Sequence, residues 1–361
     1  RALRPHRRAR PPSAPRARPP SAPRARSWML MRRKQVIADQ LPRKVDNVVV
    51  CPLGAEQAEV YERVLRSADF ASLRNAARPC ACGSGQPLSE CCQLEEPPGP
   101  LWRQLHPTGE LCSGSRACPF CMSLPATTQL LKLANHLDLV RARRDKPDTY
   151  EREAQFARMA WGCEDGGDDG CERGARRAAG DGRSADEVRP WELSERLRDK
   201  ALLGGCGKLR ALLLLLREWR EDPEADNRVL LFSYSVRMLD LLALALHTHG
   251  YPFLRLDGST SVNKRAELVD AFNAHGSSKY VFLISTKAGG LGLNLVAANR
   301  VVVFDPNWNP AHDLQAQDRA FRIGQRRDVD VYRLLSAGTV EECIYLRQVQ
   351  WRRAAGGARR Q

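Results

Sequence analysis

The chain has little that could cross a membrane and nothing that reads as a secretory leader. Its longest purely apolar run, residues 211–216, falls far short of the roughly 20 residues that a bilayer span requires. The first residue is Arg1 rather than Met, and no apolar stretch near it ends in a cleavage site. A signal peptide is therefore not expected, and the chain reads as a piece of a longer protein. Acidic residues are absent from the first 34 positions, which hold twelve basic ones, so of a net charge of +15 only +3 belongs to the rest of the chain. The basicity is mostly a tail, and overall charge gives no argument for a nucleic-acid partner; such contacts have to be argued from local positions.

What is present is enough for a real core. With 361 residues, 43% hydrophobic and 27% charged, the chain is long enough for two domains or for one domain with large insertions. Twelve cysteines without a secretory leader point to metal ligands and free thiols in a reducing, intracellular compartment rather than to a disulfide framework.

Composition divides the chain. Residues 1–26 contain nine Arg and seven Pro with RARPPSAP in tandem, a low-complexity segment that cannot bury a core and is expected to be disordered, whether as a basic arm or as a non-native extension. From residue 27 to 75 the text is globular, with a strand-like VDNVVVC and an amphipathic helix beginning near Gly54. Residues 76–96 carry a cysteine cluster, and 97–195 read as an insertion or linker; the Cys/Pro/Gly-rich stretch 76–125 and the Gly/Asp-rich stretch 162–190 are expected as loops. Residues 196–355 are the most regular part. Strands RVLLFSY, PFLRLDG, KYVFLIST, RVVVFD and VDVYRLL alternate with helices, among them one over 310–323 and one from Val340 with Thr339 and Glu342 at capping-box spacing. This is an α/β pattern, a mostly parallel sheet covered by helices on both faces.

In such a sheet function collects at the carboxyl ends of the strands. Thr286-Lys287-Ala288-Gly289-Gly290-Leu291-Gly292 follows KYVFLIS, and its glycines allow close approach to a phosphate or a neighbouring domain, although a plain tight turn has the same composition. Asp305-Pro306-Asn307-Trp308-Asn309-Pro310 follows RVVVF, and Gln315, Arg319 and Arg322 come next at helical spacing, expected on one face. Two guanidinium groups and an amide there suit phosphate oxygens, while a solvated charged face is the plainer alternative. Trp308 is expected to pack its loop on the core, and Leu239, Leu242 and Leu246 to be core residues.

FSYS, RLDGST, STKAGGLGLNL, DPNWNP and QAQDRAFRIGQ, in this order, resemble motifs IV to VI of the SWI/SNF-type ATPases of helicase superfamily two. LMRRKQVIADQLPRK and VYERVL resemble the end of that family's first motor lobe, and LLKLANH and GKLRALLLLLREW the approach to its second. The best match within the family is the excision-repair, Cockayne-syndrome-B-like branch and its six-like-two subgroup, which carries a similar cysteine cluster. The resemblance implies a RecA-like lobe that closes on a partner lobe around ATP and Mg²⁺ and moves along double-stranded DNA in the nucleus, with chromatin or repair proteins as possible partners. It implies Arg322 as arginine finger and Arg319 as its neighbour, with Gly290, Gly292 and Gln315 completing the nucleotide site. It also implies Ser233, Arg255, Ser259, Thr286 and Lys287 as contacts to the DNA backbone.

A complete motor of this kind also needs GxxxxGK[ST] and a DExH-like box, and neither string occurs. The nearest approach, Leu202-Leu203-Gly204-Gly205-Cys206-Gly207-Lys208-Leu209, has leucines where the first glycine and the metal-binding hydroxyl belong, and is read as a decoy. The expectation is that this polypeptide lacks the first lobe and does not turn ATP over by itself. The competing expectation is a non-enzymatic module that binds DNA or a protein.

Cys80, Cys82, Cys91 and Cys92 form CxCGSGx5CC, two close pairs around a Gly-rich turn, suited to a structural tetrahedral Zn²⁺ and resembling the SEC-C motif. The basic residues usual between those pairs are replaced by QPLSE. Cys112, Cys118 and Cys121, with His106, form a less regular set, either a second metal site or free thiols.

Overall fold

The computed structural model describes residues 41–75, 86, 99–105, 119–142, 146–162, 202–222, 226–288 and 292–357. The tail 1–26, the cysteines Cys80, Cys82, Cys91, Cys92, Cys112 and Cys118, and Gly290 lie outside them.

Six strands form one sheet: β1 (Lys44–Cys51), β2 (Val229–Ser233), β3 (Phe253–Leu256), β4 (Val281–Ser285), β5 (Arg300–Val303) and β6 (Val329–Ser336). The order is β1-β6-β5-β2-β4-β3, and every pairing is parallel. Residues 44–75, expected with the end of a first lobe, thus contribute an edge strand to the sheet built by residues 229–336. Central β2 and β4 are buried at every residue, as parallel strands covered on both faces must be.

The covering helices are α6 (Gly207–Glu221) and α7 (Val236–Thr248) on one face, and α8 (Val262–Asn273) and α9 (Pro310–Gln317) on the other. Alternation along the strands separates two cores. Leu231, Leu283 and Val302 pack with Leu212, Leu216, Leu239, Leu242 and Leu246, so the leucine stripe of α7 is core as expected. Leu230, Phe282 and Val301 pack with Phe272 of α8 and Ala316 of α9. Cys206 caps α6 and Ser235 caps α7, each accepting a backbone N–H of the first turn.

A third core joins α1 (Ala55–Arg66), α2 (Ala68–Asn75), α3 (Pro100–Leu105), α4 (Pro119–Asn135) and α5 (Pro147–Trp161) through Val64, Leu101, Met122, Leu133 and Phe156. The stretch 76–125, expected as loop, therefore holds α3 and the start of α4. Leu101 and Met122 are buried against neighbours that no local pattern announces.

The last helix, α10 (Val340–Gly357), begins with a cap one residue out of the expected register. The Thr339 hydroxyl accepts from the N–H of Glu341 at 3.3 Å, while the Glu342 carboxylate accepts from the N–H of Gly338, not of Thr339, at 2.9 Å. Gly338 has φ +66°, which turns the chain sharply between β6 and α10.

Candidate functional site

The expected site residues leave adjacent strand ends. In the order β3-β4-β2-β5, the carboxyl ends deliver Arg255 to Ser259, Thr286 and Lys287, Ser233 and Tyr234, and Asp305. Backbone and side-chain bonds fuse these loops: the N–H of Thr286 donates to the Ser233 carbonyl at 2.9 Å, and the N–H of Tyr234 donates to Asp305 Oδ1 at 2.8 Å.

Ser233 departs from its expected role. It is fully buried, and its hydroxyl donates to Asp305 Oδ2 at 3.0 Å, so in this conformation it organises the loop instead of offering a hydroxyl to a phosphate. Burial pushes the Asp305 carboxyl up to about 6, although Lys208 and the donors from Tyr234 and Ser233 oppose the rise. Thr286 is also buried, whereas Lys287 is exposed with its Nζ 4.6 Å from the centre of the Tyr234 ring.

Arg255 and Ser259 meet around Asp257. Arg255 Nε lies 2.9 Å from Asp257 Oδ2 and its Nη1 2.7 Å from Asp240, so two carboxylates offset its charge. Ser259 brings both its N–H and its hydroxyl to Asp257 Oδ1, and these bonds, chiefly that from the hydroxyl, hold the Asp257 carboxyl below its usual range. Ser259 itself is exposed.

The expected helix over 310–323 ends early. Asn309 caps α9 and the helix stops at Gln317, so Arg319 and Arg322 sit in the turns that follow and do not share a helical face with Gln315. The turns bring the two arginines together by another route. Leu295 donates its N–H to the Arg319 carbonyl at 3.1 Å, and Arg322 Nη1 donates to the carbonyl of Gly292 at 3.2 Å. Gly292 has φ +73°, a backbone that favours glycine. Arg319 is buried and Arg322 exposed; burial first and the neighbouring Arg322 charge second hold the Arg319 guanidinium below its usual pKa. Gln315 is exposed on α9.

The phosphate-loop decoy has a structural use. Lys208 is fully buried, its ammonium donating to Asn135 Oδ1 at 2.6 Å, the Phe304 carbonyl at 2.9 Å and Glu341 Oε1 at 2.8 Å. A lysine so enclosed cannot serve a phosphate. Gly207 beside it is required by space, because a Cβ there would stand 1.8 Å from the Pro52 carbonyl oxygen.

Two residues have different surroundings from those the sequence offered. Trp308 is 53% exposed, against the expectation of core packing, and walls a groove of about 770 Å³ with Val340, Cys343 and Ile344. Tyr234 was not singled out; its signal was an aromatic at the exit of a fully buried strand, where it is 45% exposed.

Residues 207–324 match the family described as helicase conserved C-terminal domain. This part of the chain is similar to the second motor lobe of SWI/SNF-type proteins. The lobe and its preceding segments are 45% identical over 324 residues to Switch 2 of Arabidopsis thaliana, covering 89% of this chain and 35% of that protein. They are 39% identical over 322 residues to the DNA excision repair protein ERCC-6-like 2 of Mus musculus, covering 89% of this chain and 18% of that protein. The chain thus spans only a fraction of these relatives. The structure of the C-terminal part of the Fun30 ATPase domain superposes with a TM-score of 0.54 at 27% identity, covering 85% of this chain and 89% of that one. Among the described residues no helix of the lobe or its neighbours is long and apolar enough to cross a membrane.

Proposed function

We propose that this lobe supplies the arginine finger and part of the DNA grip of an ATP-driven, double-stranded-DNA translocase acting in repair or chromatin remodelling in the nucleus. The observation that carries this reading is the convergence of Arg319 and Arg322 on the Gly292 loop. Burial and the neighbouring Arg322 charge hold the Arg319 guanidinium below its usual pKa, and a polyphosphate lying against both groups would offset that cost. The relatives named as excision-repair proteins support the repair or remodelling context.

Arg322, Arg319, Gln315 and the 290–292 backbone would hold this side of a Mg²⁺-bound ATP, which would supply the phosphoanhydride bond whose cleavage drives movement. Arg322, the exposed member, places positive charge where negative charge develops; Arg319, buried beside it, fixes its approach. Lys287 and Ser259 face the strand-end rim as sequence-blind contacts to phosphate oxygens, with buried Thr286 joining the Lys287 loop to Ser233 and Arg255 holding the Ser259 loop through Asp257. The donor chemistry of Cys80, Cys82, Cys91 and Cys92 supports a structural Zn²⁺.

Alone, the chain is proposed to bind duplex DNA with a steep salt dependence and to hydrolyse no ATP. Joined to a lobe bearing GxxxxGK[ST], it is expected to give DNA-stimulated turnover that Arg322→Ala lowers by roughly 10³-fold or more with DNA affinity retained. Robust DNA-stimulated hydrolysis by the isolated chain, lost in Arg322→Ala, overturns the division of labour. DNA binding without turnover in the joined protein favours the non-enzymatic binding module.

A further inference from the structure

The loop after β2 holds a group that none of the expected contacts accounts for. Ser233, the residue that the motif resemblance assigns to the DNA, is sealed inside and committed to Asp305. The next residue, Tyr234, has its backbone N–H tethered to the same carboxylate at 2.8 Å, so its position is fixed at the root while the residue remains 45% exposed. Large aromatic rings left exposed at the exit of a fully buried strand are not demanded by the fold, since the core beneath is closed by Phe232 and Phe304, each 0% exposed.

The ring is also not alone. Lys287, from the end of neighbouring β4, holds its ammonium 4.6 Å from the ring centre, and the two loops are joined by the bond from Thr286 N–H to the Ser233 carbonyl. An ammonium drawn over a half-exposed ring sets a cation and an apolar plate side by side at the surface. A nucleic-acid strand presents the same alternation: a phosphate, then the apolar face of a sugar.

We propose that Tyr234 is a nucleic-acid contact residue of this lobe, laying its ring against a deoxyribose while Lys287 beside it meets the adjacent phosphate. This rests on the reading that the lobe binds DNA. The chemistry needs no base identity, and removes from Ser233 the role that its buried hydroxyl cannot perform. Asp305 is then a positioning residue, holding Ser233 and Tyr234 from below without touching the strand.

The test is binding of the full chain to a fluorescein-labelled duplex by anisotropy over a series of salt concentrations, for wild type, Tyr234→Ala and Tyr234→Phe, with thermal unfolding of each as a control. Tyr234→Ala is expected to weaken binding roughly fivefold, the low end of the cost of removing an aromatic partner. The slope of log affinity against log salt should not change, because no cation is lost. Tyr234→Phe should bind as wild type, since the ring and not the hydroxyl makes the contact. Unchanged affinity in Tyr234→Ala, with wild type binding normally, overturns the proposal and leaves the DNA reading standing. A slope reduced by about one also overturns it, because the ring would then serve only to place Lys287. Absence of wild-type binding overturns both.

Discussion

The carboxylate of Asp305 accepts the hydroxyl of Ser233 through Oδ2 and the N–H of Tyr234 through Oδ1, so one buried acid at the end of β5 organises the loop at the end of β2. The two strands are direct neighbours, which makes the contact a property of the strand order and not of sequence proximity.

This carboxyl should give a recognisable pH signature. Its folded pKa of about 6 lies above the ordinary 3.8, so the protonated form favours the fold. The contribution is fully present below about pH 4 and lost as pH rises through 6. The difference in urea unfolding free energy between wild type and Asp305→Asn should therefore drift against wild type from pH 4 to 6 and level off above. A difference constant over that range would contradict the assignment.

His136 should act in the opposite direction. It is buried, its Nδ1 accepts from the Asp138 N–H at 2.9 Å and its Nε2 faces the Leu202 carbonyl at 3.2 Å, an arrangement for the neutral ring with its proton on Nε2. Burial above all lowers its pKa from 6.5 to about 4. Its stabilisation is present above pH 6.5 and fades as pH falls through 4. Imidazole carbon shifts should stay those of the neutral ring down to about pH 4 while unfolded chains titrate near 6.5.

The Lys208–Glu341 pair, 2.8 Å apart and 0% and 2% exposed, joins α6 to α10 and reaches α4 through Asn135. Lys208→Met leaves a buried carboxylate without its cation and should destabilise the chain by about 3–5 kcal/mol. Lys208→Met with Glu341→Leu should recover part of that loss, as measured by urea unfolding at equilibrium, with the Asn135 and Phe304 oxygens and the Ser336 N–H left without these partners. A partly compensated double variant would confirm that this lysine serves the core.

Chain purified in reducing buffer should carry stoichiometric zinc by elemental analysis, and Cys80→Ser with Cys92→Ser should abolish it. The same variants should leave the unfolding of the sheet domain nearly unchanged. Zinc retained in the double variant would shift attention to Cys112, Cys118 and Cys121.

Much of this was readable in the residues. Apolar runs such as VLLFS and VFLIS can only be buried parallel strands, and the spacing of Leu239, Leu242 and Leu246 permits only one buried helix face. The ordered motifs marked the strand ends, and the misplaced leucines flanking Gly204 to Lys208 ruled out a phosphate loop. Those are local signals, set by periodicity and composition within a few residues. What depends on neighbours distant in sequence was not readable. Helical spacing placed Arg319 and Arg322 on α9, but the helix ends at Gln317, and the arginines are held instead by the loop that contains Gly292 and Leu295. Ser233 looked like a surface hydroxyl until the strand order set Asp305 beside it. The edge position of VDNVVVC beside β6, and the enclosure of Lys208 by residues of α4, α10 and the segment after β5, followed only from tertiary packing. Sequence determines which segments must be buried; which polar groups survive at the surface is decided when distant segments meet and satisfy one another's hydrogen bonds.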